Sequence, residues 1–111
     1  MGNTNPSFLN GIPEMLILHL LSEREMYGYE LVKTIQARSN EVFNFGEGCI
    51  YPILHYLEKT GLLKSQRRDV GGRSRNYYTL TPKGVKRLAG LRGEWRGVAA
   101  GVATILGEQH A

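Results

Sequence analysis

The feature that most constrains the fold is the pair of adjacent glycines, Gly71 and Gly72, which separates two short segments of extended character. Residues 62–68 and 75–81 lie on either side of a connection at 69–74. Because adjacent glycines allow the positive φ angles that a tight turn needs, this pattern predicts a β-hairpin. One hairpin among helical segments restricts a chain of 111 residues to a single small domain.

Helical segments are predicted on both sides of the hairpin. Apolar residues recur every three to four positions before it, and Thr81 followed by Pro82 is typical of a helix start. The predicted elements are a flexible segment at 1–11, helices over about 12–22, 30–39 and 49–60, a glycine-bearing loop at 44–48, a long helix at 82–107 and a tail at 108–111. Pro52 is expected in the first turn of the third helix, where proline is tolerated.

The third helix is predicted to have two distinct faces. At about 100° per residue its aliphatic residues cluster on one side, which predicts that they enter the core. The residues predicted to point away from the core are Tyr51, Pro52, His55, Tyr56 and Lys59. An ordinary core helix with aromatic neighbours is the alternative interpretation.

Charge is distributed unevenly along a chain whose net charge is +4. Residues 1–61 carry seven glutamates against four basic residues, whereas residues 62–75 carry five basic residues and one aspartate. A local excess of positive charge favours a polyanionic partner such as nucleic acid. The alternative is that these residues form an ordinary solvated surface.

The order of elements predicts a winged helix-turn-helix, in which the third helix enters the major groove of DNA and the hairpin is the wing. Base edges carry sequence information and phosphates supply affinity, so different residues are expected to serve the two purposes. Tyr51, His55 and Lys59 are the candidates for base contacts. The candidates for phosphate or minor-groove contacts are Arg67, Arg68, Arg73 and Arg75.

The last helix carries an apolar seam with a 3-4-3-4-3 spacing, which is typical of helices that pair. The seam consists of Leu88, Leu91, Trp95, Val98, Val102 and Ile105. It predicts a homodimer, although a monomer that covers the seam with its own first helix is the alternative. Gly90, Gly93, Gly97 and Gly101 lie on another face, where we expect close backbone packing or a frayed helix end. The predicted fold is therefore α+β and mostly α, with a winged domain at 12–81 and a dimerisation helix at 82–107.

Three segments together resemble the PadR family of transcriptional regulators over about residues 13–95. They are Tyr27-Gly28-Tyr29-Glu30-Leu31, Ile50-Tyr51-Pro52-Ile53-Leu54 with Leu57-Glu58 and Gly61-Leu62, and the run from Gly72 to Thr81. The resemblance implies a dimeric repressor whose operator binding is relieved by a ligand. Cys49 departs from the family, in which a small hydroxyl residue is commoner. The predicted DNA-contacting set is completed by Cys49, Pro52 and Tyr77.

The single C-terminal helix makes the chain similar to the short, drug-responsive subfamily of these regulators. In that subfamily the resemblance implies an apolar pore between the subunits, and Trp95 matches the position of a tryptophan that stacks on flat aromatic ligands. An indole offers a broad surface for planar or cationic molecules, although a packed core tryptophan is the alternative. The other residues predicted to line this ligand site are Met15, Leu18, Leu91 and Val98.

Sequence motifs for catalysis or for metal binding are absent. The chain has no nucleophile elbow, phosphate loop or paired metal-ligand motif, so we expect neither an enzyme nor a bound cofactor or metal ion. The single cysteine and the lack of a signal peptide or long apolar run predict a soluble cytoplasmic protein. Cys49 is expected to be a packed thiol, with a redox sensor as the alternative. A winged-helix adaptor that binds protein instead of DNA remains the competing function.

Overall fold

The computed structural model describes residues 11–108 and shows the predicted order of three helices, a hairpin and a long helix. The elements are α1 (Ile12–Glu23), β1 (Met26–Tyr27), α2 (Gly28–Arg38), α3 (Glu47–Lys59), β2 (Leu63–Val70), β3 (Arg73–Leu80) and α4 (Pro82–Leu106). The flexible segment expected at 1–11 and the tail expected at 108–111 lie outside the described residues except for Gly11 and Glu108. The α+β, mostly helical fold predicted from the sequence is confirmed.

The core lies where α1, α2 and α3 meet one face of the sheet. Its fully buried side chains are Ile17, Leu18, Met26, Leu31, Ile50, Leu54, Leu57 and Leu63. Each aliphatic side chain of this size contributes about 1.5–3 kcal/mol when it leaves water. Leu18 and Leu21 are buried in α1, whereas Met15 packs only at the edge of the core.

Helix α3 begins at Glu47, two residues earlier than predicted, so Gly48 belongs to the helix and not to the preceding loop. Two glycines close together suggested a longer loop, but burial of Ile50, Leu54 and Leu57 favours a helix that extends to Glu47. Pro52 therefore lies in the second turn and not in the first. It cannot donate the hydrogen bond that position 52 would otherwise make to the carbonyl of Gly48.

The hairpin is longer and tighter than predicted. Its strands pair from Leu63 with Leu80 to Val70 with Arg73, so the connection contains only Gly71 and Gly72. Their φ angles are 58° and 79°, the combination that a two-residue turn matching the twist of the strands requires. The segment 69–74, predicted to be a loop, thus contains four strand residues.

A third strand, β1, was not predicted. Its two residues pair with β3, Met26 with Tyr78 and Tyr27 with Tyr77, which gives the sheet order β1-β3-β2. Strand β1 continues directly into α2 at Gly28, so the hairpin is hydrogen-bonded to the segment that starts the second helix. Met26 and Tyr78 are both 2% exposed and anchor this part of the sheet in the core.

Helix α4 begins as predicted. The hydroxyl of Thr81 accepts a hydrogen bond of 3.1 Å from the backbone of Gly84, and Pro82 occupies the first turn. Gly84 packs against the connection before β2, because a Cβ atom at position 84 would lie 2.2 Å from the carbonyl oxygen of Leu62. The helix ends at Leu106, with Gly107 in the left-handed conformation that commonly terminates helices.

The apolar seam of α4 divides into two parts. Leu88 is buried and Leu91 partly buried against the core cluster, and Arg87 pairs with Glu14 of α1. The remaining seam residues are exposed: Trp95 at 47%, Val98 at 59%, Val102 at 51% and Ile105 at 86%. The chain's own first helix therefore covers only the beginning of the seam.

The four glycines on the other face of α4 were expected to mark close packing or fraying, and residues 11–108 show neither. The helix continues past all four of them, and a Cβ atom at Gly90, Gly93, Gly97 or Gly101 would meet no atom within 4 Å. Within the single chain, these glycines face open space.

Candidate nucleic-acid interface

The solvent-facing side of α3 is a polar ridge. Pro52, His55 and Lys59 are exposed and follow one another along this side, because their spacings of three and four residues correspond to about one helical turn. Ile50, Leu54 and Leu57 hold the opposite side in the core at 0% exposure. The predicted division of α3 into a core face and a presented face is thus present.

Cys49 and Tyr51 belong to the two flanks of the ridge and not to its centre. At about 100° per residue they differ by roughly 200° around the helix axis, so they lie on opposite flanks of the ridge. Both are partly buried. Burial raises the pKa of the Cys49 thiol, which favours the expected packed, protonated cysteine over a reactive thiolate.

Tyr51 is positioned by a close contact with the beginning of α2. A Cβ atom at Gly28 would lie 2.4 Å from the Tyr51 ring, so only glycine leaves room for this ring at that place. Burial, the largest influence, raises the pKa of the Tyr51 hydroxyl, and nearby Glu47 adds to the effect. The hydroxyl is therefore neutral at physiological pH and can both donate and accept a hydrogen bond.

A groove of about 370 Å³ separates α3 from strand β3. It is lined by Tyr27, Gly28, Tyr29, Tyr51, His55, Arg73, Ser74, Arg75, Asn76 and Tyr78. The groove lies between α3 and the wing, because its walls include Tyr51 and His55 on one side and Arg73 and Asn76 on the other. Hydroxyl, amide, imidazole and guanidinium groups of this kind bind phosphate and sugar oxygens.

Two of the four wing arginines are exposed. The Nε of Arg67 donates a hydrogen bond of 2.6 Å to the hydroxyl of Ser74 across the hairpin, and Arg73 follows the turn directly. Within residues 11–108, neither guanidinium forms an ion pair with a carboxylate. Both charges are therefore available to an anionic partner.

The other two wing arginines, Arg68 and Arg75, are partly buried on the outer face of the sheet, the face opposite Tyr78. Arg68 pairs with Glu25, with one N–O distance of 2.7 Å, and lies 4.9 Å from the centre of the Tyr77 ring. Arg75 lies 4.4 Å from the centre of the Tyr27 ring. The structure thus separates four arginines that the sequence grouped together.

Most arginines of the helical body are neutralised locally. Arg24 pairs with Glu30 at 2.9 Å, Arg38 with Glu23 at 2.6 Å and Arg87 with Glu14 at 3.0 Å. By contrast, Lys59, Arg67 and Arg73 make no such pair within the described part of the chain. Basic residues of α4 such as Lys86, Arg92 and Arg96 also make no such pair there, so unpaired positive charge lies on the ridge and the wing and along α4.

Several residues that line the groove were not predicted from the sequence. Ser74 and Asn76 were overlooked because the arginines between and beside them drew attention to charge alone, although strand alternation places both on the face of Tyr78. Gly28 and Tyr29 were noted only as part of a motif. The signal that could have found them is the continuity of β1 with α2, which was not predicted.

The residues proposed for the ligand site do not all lie open. Trp95 and Val98 are exposed on α4, and Met15 and Leu91 are partly buried against the core. Leu18 is 0% exposed inside the core, so it is unavailable to a ligand in this structure. The error arose because Leu18 lies on the inward side of α1, toward the sheet.

Residues 11–108 contain neither a cluster of metal ligands nor a membrane-spanning helix. No three His, Cys, Asp or Glu side chains come together there in a way that could hold a metal ion. His19 contacts Glu23 at 3.1 Å, and His55 is exposed on the ridge. None of the described helices is long and apolar enough to cross a lipid bilayer.

Comparison with known proteins identifies relatives that resemble this chain in sequence and fold. Residues 17–90 match the transcriptional regulator PadR-like family. A protein of Lysinibacillus sphaericus is 34% identical over 88 residues, which is 78% of this chain and 81% of that protein. The transcriptional regulator Rv3488 of Mycobacterium tuberculosis is 40% identical over 68 residues, which is 61% of each chain.

Solved structures give the same result. A transcriptional regulator from Clostridium thermocellum superposes with a TM-score of 0.83 at 29% identity, covering 92% of this chain and 97% of its own. A PadR-like transcriptional regulator from Bacillus cereus has a TM-score of 0.79 at 31% identity, covering 93% and 99%. Bacillus subtilis PadR in complex with operator DNA has a TM-score of 0.66 at 25% identity, covering 70% and 45%.

These matches extend over the helical body, the wing and most of α4, and they agree with the resemblance that the sequence motifs indicated. Members of the matched family are transcriptional regulators and not enzymes. The chain belongs to the PadR-like family of transcriptional regulators.

Proposed function

We propose that this protein is a sequence-specific DNA-binding regulator that represses transcription as a homodimer and is released by a small ligand. The observation that carries the DNA part is one groove with the α3 ridge on one side and the wing on the other. His55 and Lys59 are exposed on the ridge, and Arg67 and Arg73 are exposed on the wing.

In this proposal α3 enters the major groove and the wing lies along the adjoining backbone. His55 and Lys59 contact base edges, and Pro52 packs against the groove wall. Arg67 and Arg73 bind phosphates, for which a guanidinium offers paired N–H donors. Tyr51 lies on the flank of the ridge that faces the wing. Its neutral hydroxyl donates a hydrogen bond to the DNA backbone.

The dimer is proposed from the second half of α4. Trp95, Val98, Val102 and Ile105 form a stripe of apolar side chains that are 47% to 86% exposed. Large contiguous apolar surface of this kind usually marks an interaction site. A twofold pair of these helices would present two recognition helices to two half-sites on one face of the duplex.

The ligand site is proposed at the same stripe. Trp95 offers an indole face that one chain leaves 47% exposed, with Val98 one turn further along the helix. A planar aromatic molecule between two such tryptophans would gain stacking energy from both rings. Met15 and Leu91 are the proposed neighbours, and Leu18 is omitted because it is buried.

The experiment that tests DNA binding uses the purified protein and a labelled duplex that covers the promoter of its own gene. Binding is measured over a series of salt concentrations, with a random-sequence duplex of the same length as reference. We expect promoter binding to be tighter and to weaken steeply with salt, because each phosphate contact releases counterions. Arg67→Ala combined with Arg73→Ala should weaken both complexes, and Lys86→Ala combined with Arg96→Ala, which removes the same charge from exposed positions of α4, is the matched control.

The competing function is a winged-helix adaptor that binds a protein. An adaptor would show weak affinity for both duplexes and would respond little to Arg67→Ala with Arg73→Ala, and that outcome would overturn the proposal. A screen of planar aromatic compounds then tests the ligand part. Trp95→Ala should abolish the response to such compounds while promoter affinity is retained. Because chromosomal DNA is the proposed target, the cytoplasm remains the proposed location.

A further inference from the structure

Five side chains form a continuous stack on the outer face of the sheet, here called the outer stack. Its members are Glu25, Arg68, Tyr77, Tyr27 and Arg75. All five are partly buried, in contrast to the exposed Arg67 and Arg73. Their cross-strand pairing explains the shared face, since Tyr27 pairs with Tyr77 and Arg68 pairs with Arg75.

The contacts within the outer stack are charged and aromatic in alternation. Arg68 donates to both carboxylate oxygens of Glu25, which is the two-pronged geometry that makes arginine–carboxylate pairs specific. Its guanidinium also lies over Tyr77, whose ring meets Tyr27 edge to face at 5.3 Å and 73°. Arg75 closes the stack over Tyr27. Cation–aromatic contacts of this kind are favourable.

The outer stack lies where the hairpin leaves the core. The base of the hairpin is fixed by Leu63 and Tyr78, each 2% exposed. Beyond Gln66 most hairpin residues are exposed, and the outer half has no buried apolar residue to hold it. Ser65, nearer the base, also donates a hydrogen bond of 2.7 Å to Glu58 of α3, and the stack is a second side-chain contact, further out, that joins the wing to the body of the protein.

The segment that receives this contact also positions the recognition helix. Glu25 precedes β1, β1 continues into α2 at Gly28, and Gly28 packs directly against the ring of Tyr51 on α3. One short stretch therefore contacts the wing on one side and α3 on the other. A change in the outer stack would alter the angle between the two parts of the proposed DNA surface.

We propose that Glu25 and Arg68 are positioning residues that fix the wing relative to α3, and that Arg68 is not a phosphate contact. Tyr77, Tyr27 and Arg75 extend the same brace. The inference rests on the proposed function, because its consequence is measured as DNA affinity. It also reassigns Arg68 and Tyr77, which the sequence grouped with the DNA-contacting residues, whereas Arg75 lines the groove between α3 and β3 as well and keeps its predicted contact.

The direction in which Glu25→Gln changes DNA affinity distinguishes a positioning role from simple competition with phosphate for Arg68. Glu25→Gln removes a negative charge beside a polyanion, so if Glu25 only competed with phosphate for Arg68, DNA binding would become tighter. If Glu25 positions the wing, binding becomes weaker despite the more favourable net charge. We expect about a fivefold loss for Glu25→Gln, the upper range for a partly exposed ion pair, and about tenfold for Arg68→Gln.

The salt dependence gives a second criterion that a positioning role and a contact role do not share. When the logarithm of the affinity is plotted against the logarithm of the salt concentration, Arg73→Ala should make the slope less steep by about 0.9, as the loss of one phosphate contact predicts. Arg68→Gln should weaken binding with the slope unchanged. A reduced slope for Arg68→Gln, or tighter binding by Glu25→Gln, would overturn the proposal. The exchanged pair Glu25→Arg with Arg68→Glu should recover part of the affinity.

A measurement without DNA keeps this inference distinct from the proposed function. Amide hydrogen exchange of residues 67–76 should become faster in Glu25→Gln and in Arg68→Gln, and remain unchanged in Arg73→Ala. Equal exchange in all four proteins would show that the outer stack does not order the wing. If the unmodified protein fails to bind the promoter duplex, the proposed function fails, while the exchange result still decides whether the brace exists.

Discussion

The winged body and the second half of α4 use the same residue types in opposite ways. In the body, Leu54 and Leu57 are 0% exposed and Gly28 and Gly84 are packed so closely that a methyl group would collide with a neighbour. In the second half of α4, large apolar side chains face solvent, and a Cβ atom at Gly97 would meet nothing within 4 Å. The body buries its large apolar residues within one chain, whereas the second half of α4 leaves them exposed.

The two regions differ in what covers their apolar residues: the chain itself in the body and, in our proposal, a second copy on α4. Close packing in the body indicates that its side chains were matched to one another. Apolar residues at heptad-like spacing on α4 are instead typical of helices that pair, as the proposed dimer requires. Substitutions of the same chemical kind should therefore have opposite consequences in the two regions, and this contrast can be tested.

The largest expected effect is on assembly. Val98→Glu combined with Val102→Glu should convert the proposed dimer to a monomer, because burying several unpaired carboxylates costs several kcal/mol. We expect the dissociation constant to rise at least about a thousandfold, as measured by analytical ultracentrifugation. Ala100→Glu, on the opposite side of the helix, should leave the dimer intact. A protein that is monomeric before any substitution would contradict the interpretation of α4.

The next effect concerns a packed glycine. Gly84→Ala should lower the free energy of unfolding by about 1–3 kcal/mol, because the added methyl group meets the Leu62 carbonyl oxygen and the backbone must shift. Urea unfolding followed by circular dichroism measures this loss. An unchanged unfolding midpoint would mean that α4 and the connection before β2 can separate without cost, which would remove one side of the comparison.

An open glycine should respond in the other direction. Gly97→Ala should raise the free energy of unfolding by up to about 1 kcal/mol, because alanine is the better helix former and nothing within residues 11–108 obstructs it. The same urea experiment measures the gain. A loss of stability would instead show that a second copy packs closely on the glycine face, and would extend the proposed interface beyond the apolar stripe.

The smallest effect involves the pH dependence of the wing. Arg68 holds the pKa of Glu25 below its ordinary value of 4.5, chiefly by hydrogen bonding. A carboxylate with a lowered pKa stabilises the folded state above the unfolded pKa, and the contribution disappears as pH falls through the lower, folded value. The difference in Tm between the unmodified protein and Glu25→Gln should therefore be present at pH 7 and shrink below pH 4.5. A constant difference would argue against the ion pair.

Local signals in the sequence predicted much of the fold. The adjacent glycines located the turn, and Thr81 with Pro82 located the start of α4, because each depends on a few neighbouring residues. Strand β1 was missed because two residues show no period of their own. Its pairing with β3 joins positions about fifty residues apart, and no local pattern encodes such a contact.

For the candidate site, the sequence predicted which types of residue are present better than it predicted how they are arranged in space. Basic residues in the wing were found from charge, but the pleat of β2 separates Arg67 from Arg68, and only Arg68 is within reach of Glu25. Leu18 was assigned to a ligand site because the inward and outward sides of α1 cannot be distinguished when both carry aliphatic residues. Its burial depends on where the sheet lies.

The partly buried Cys49 has a practical consequence for following the wing in solution. It is the only cysteine of the chain, and burial raises the pKa of its thiol, so little thiolate exists at neutral pH. Because thiol reagents attack the thiolate, an exposed cysteine introduced at Ser74 should react well before Cys49 does. A fluorophore could thus be attached selectively to the wing of the protein with its native cysteine still in place.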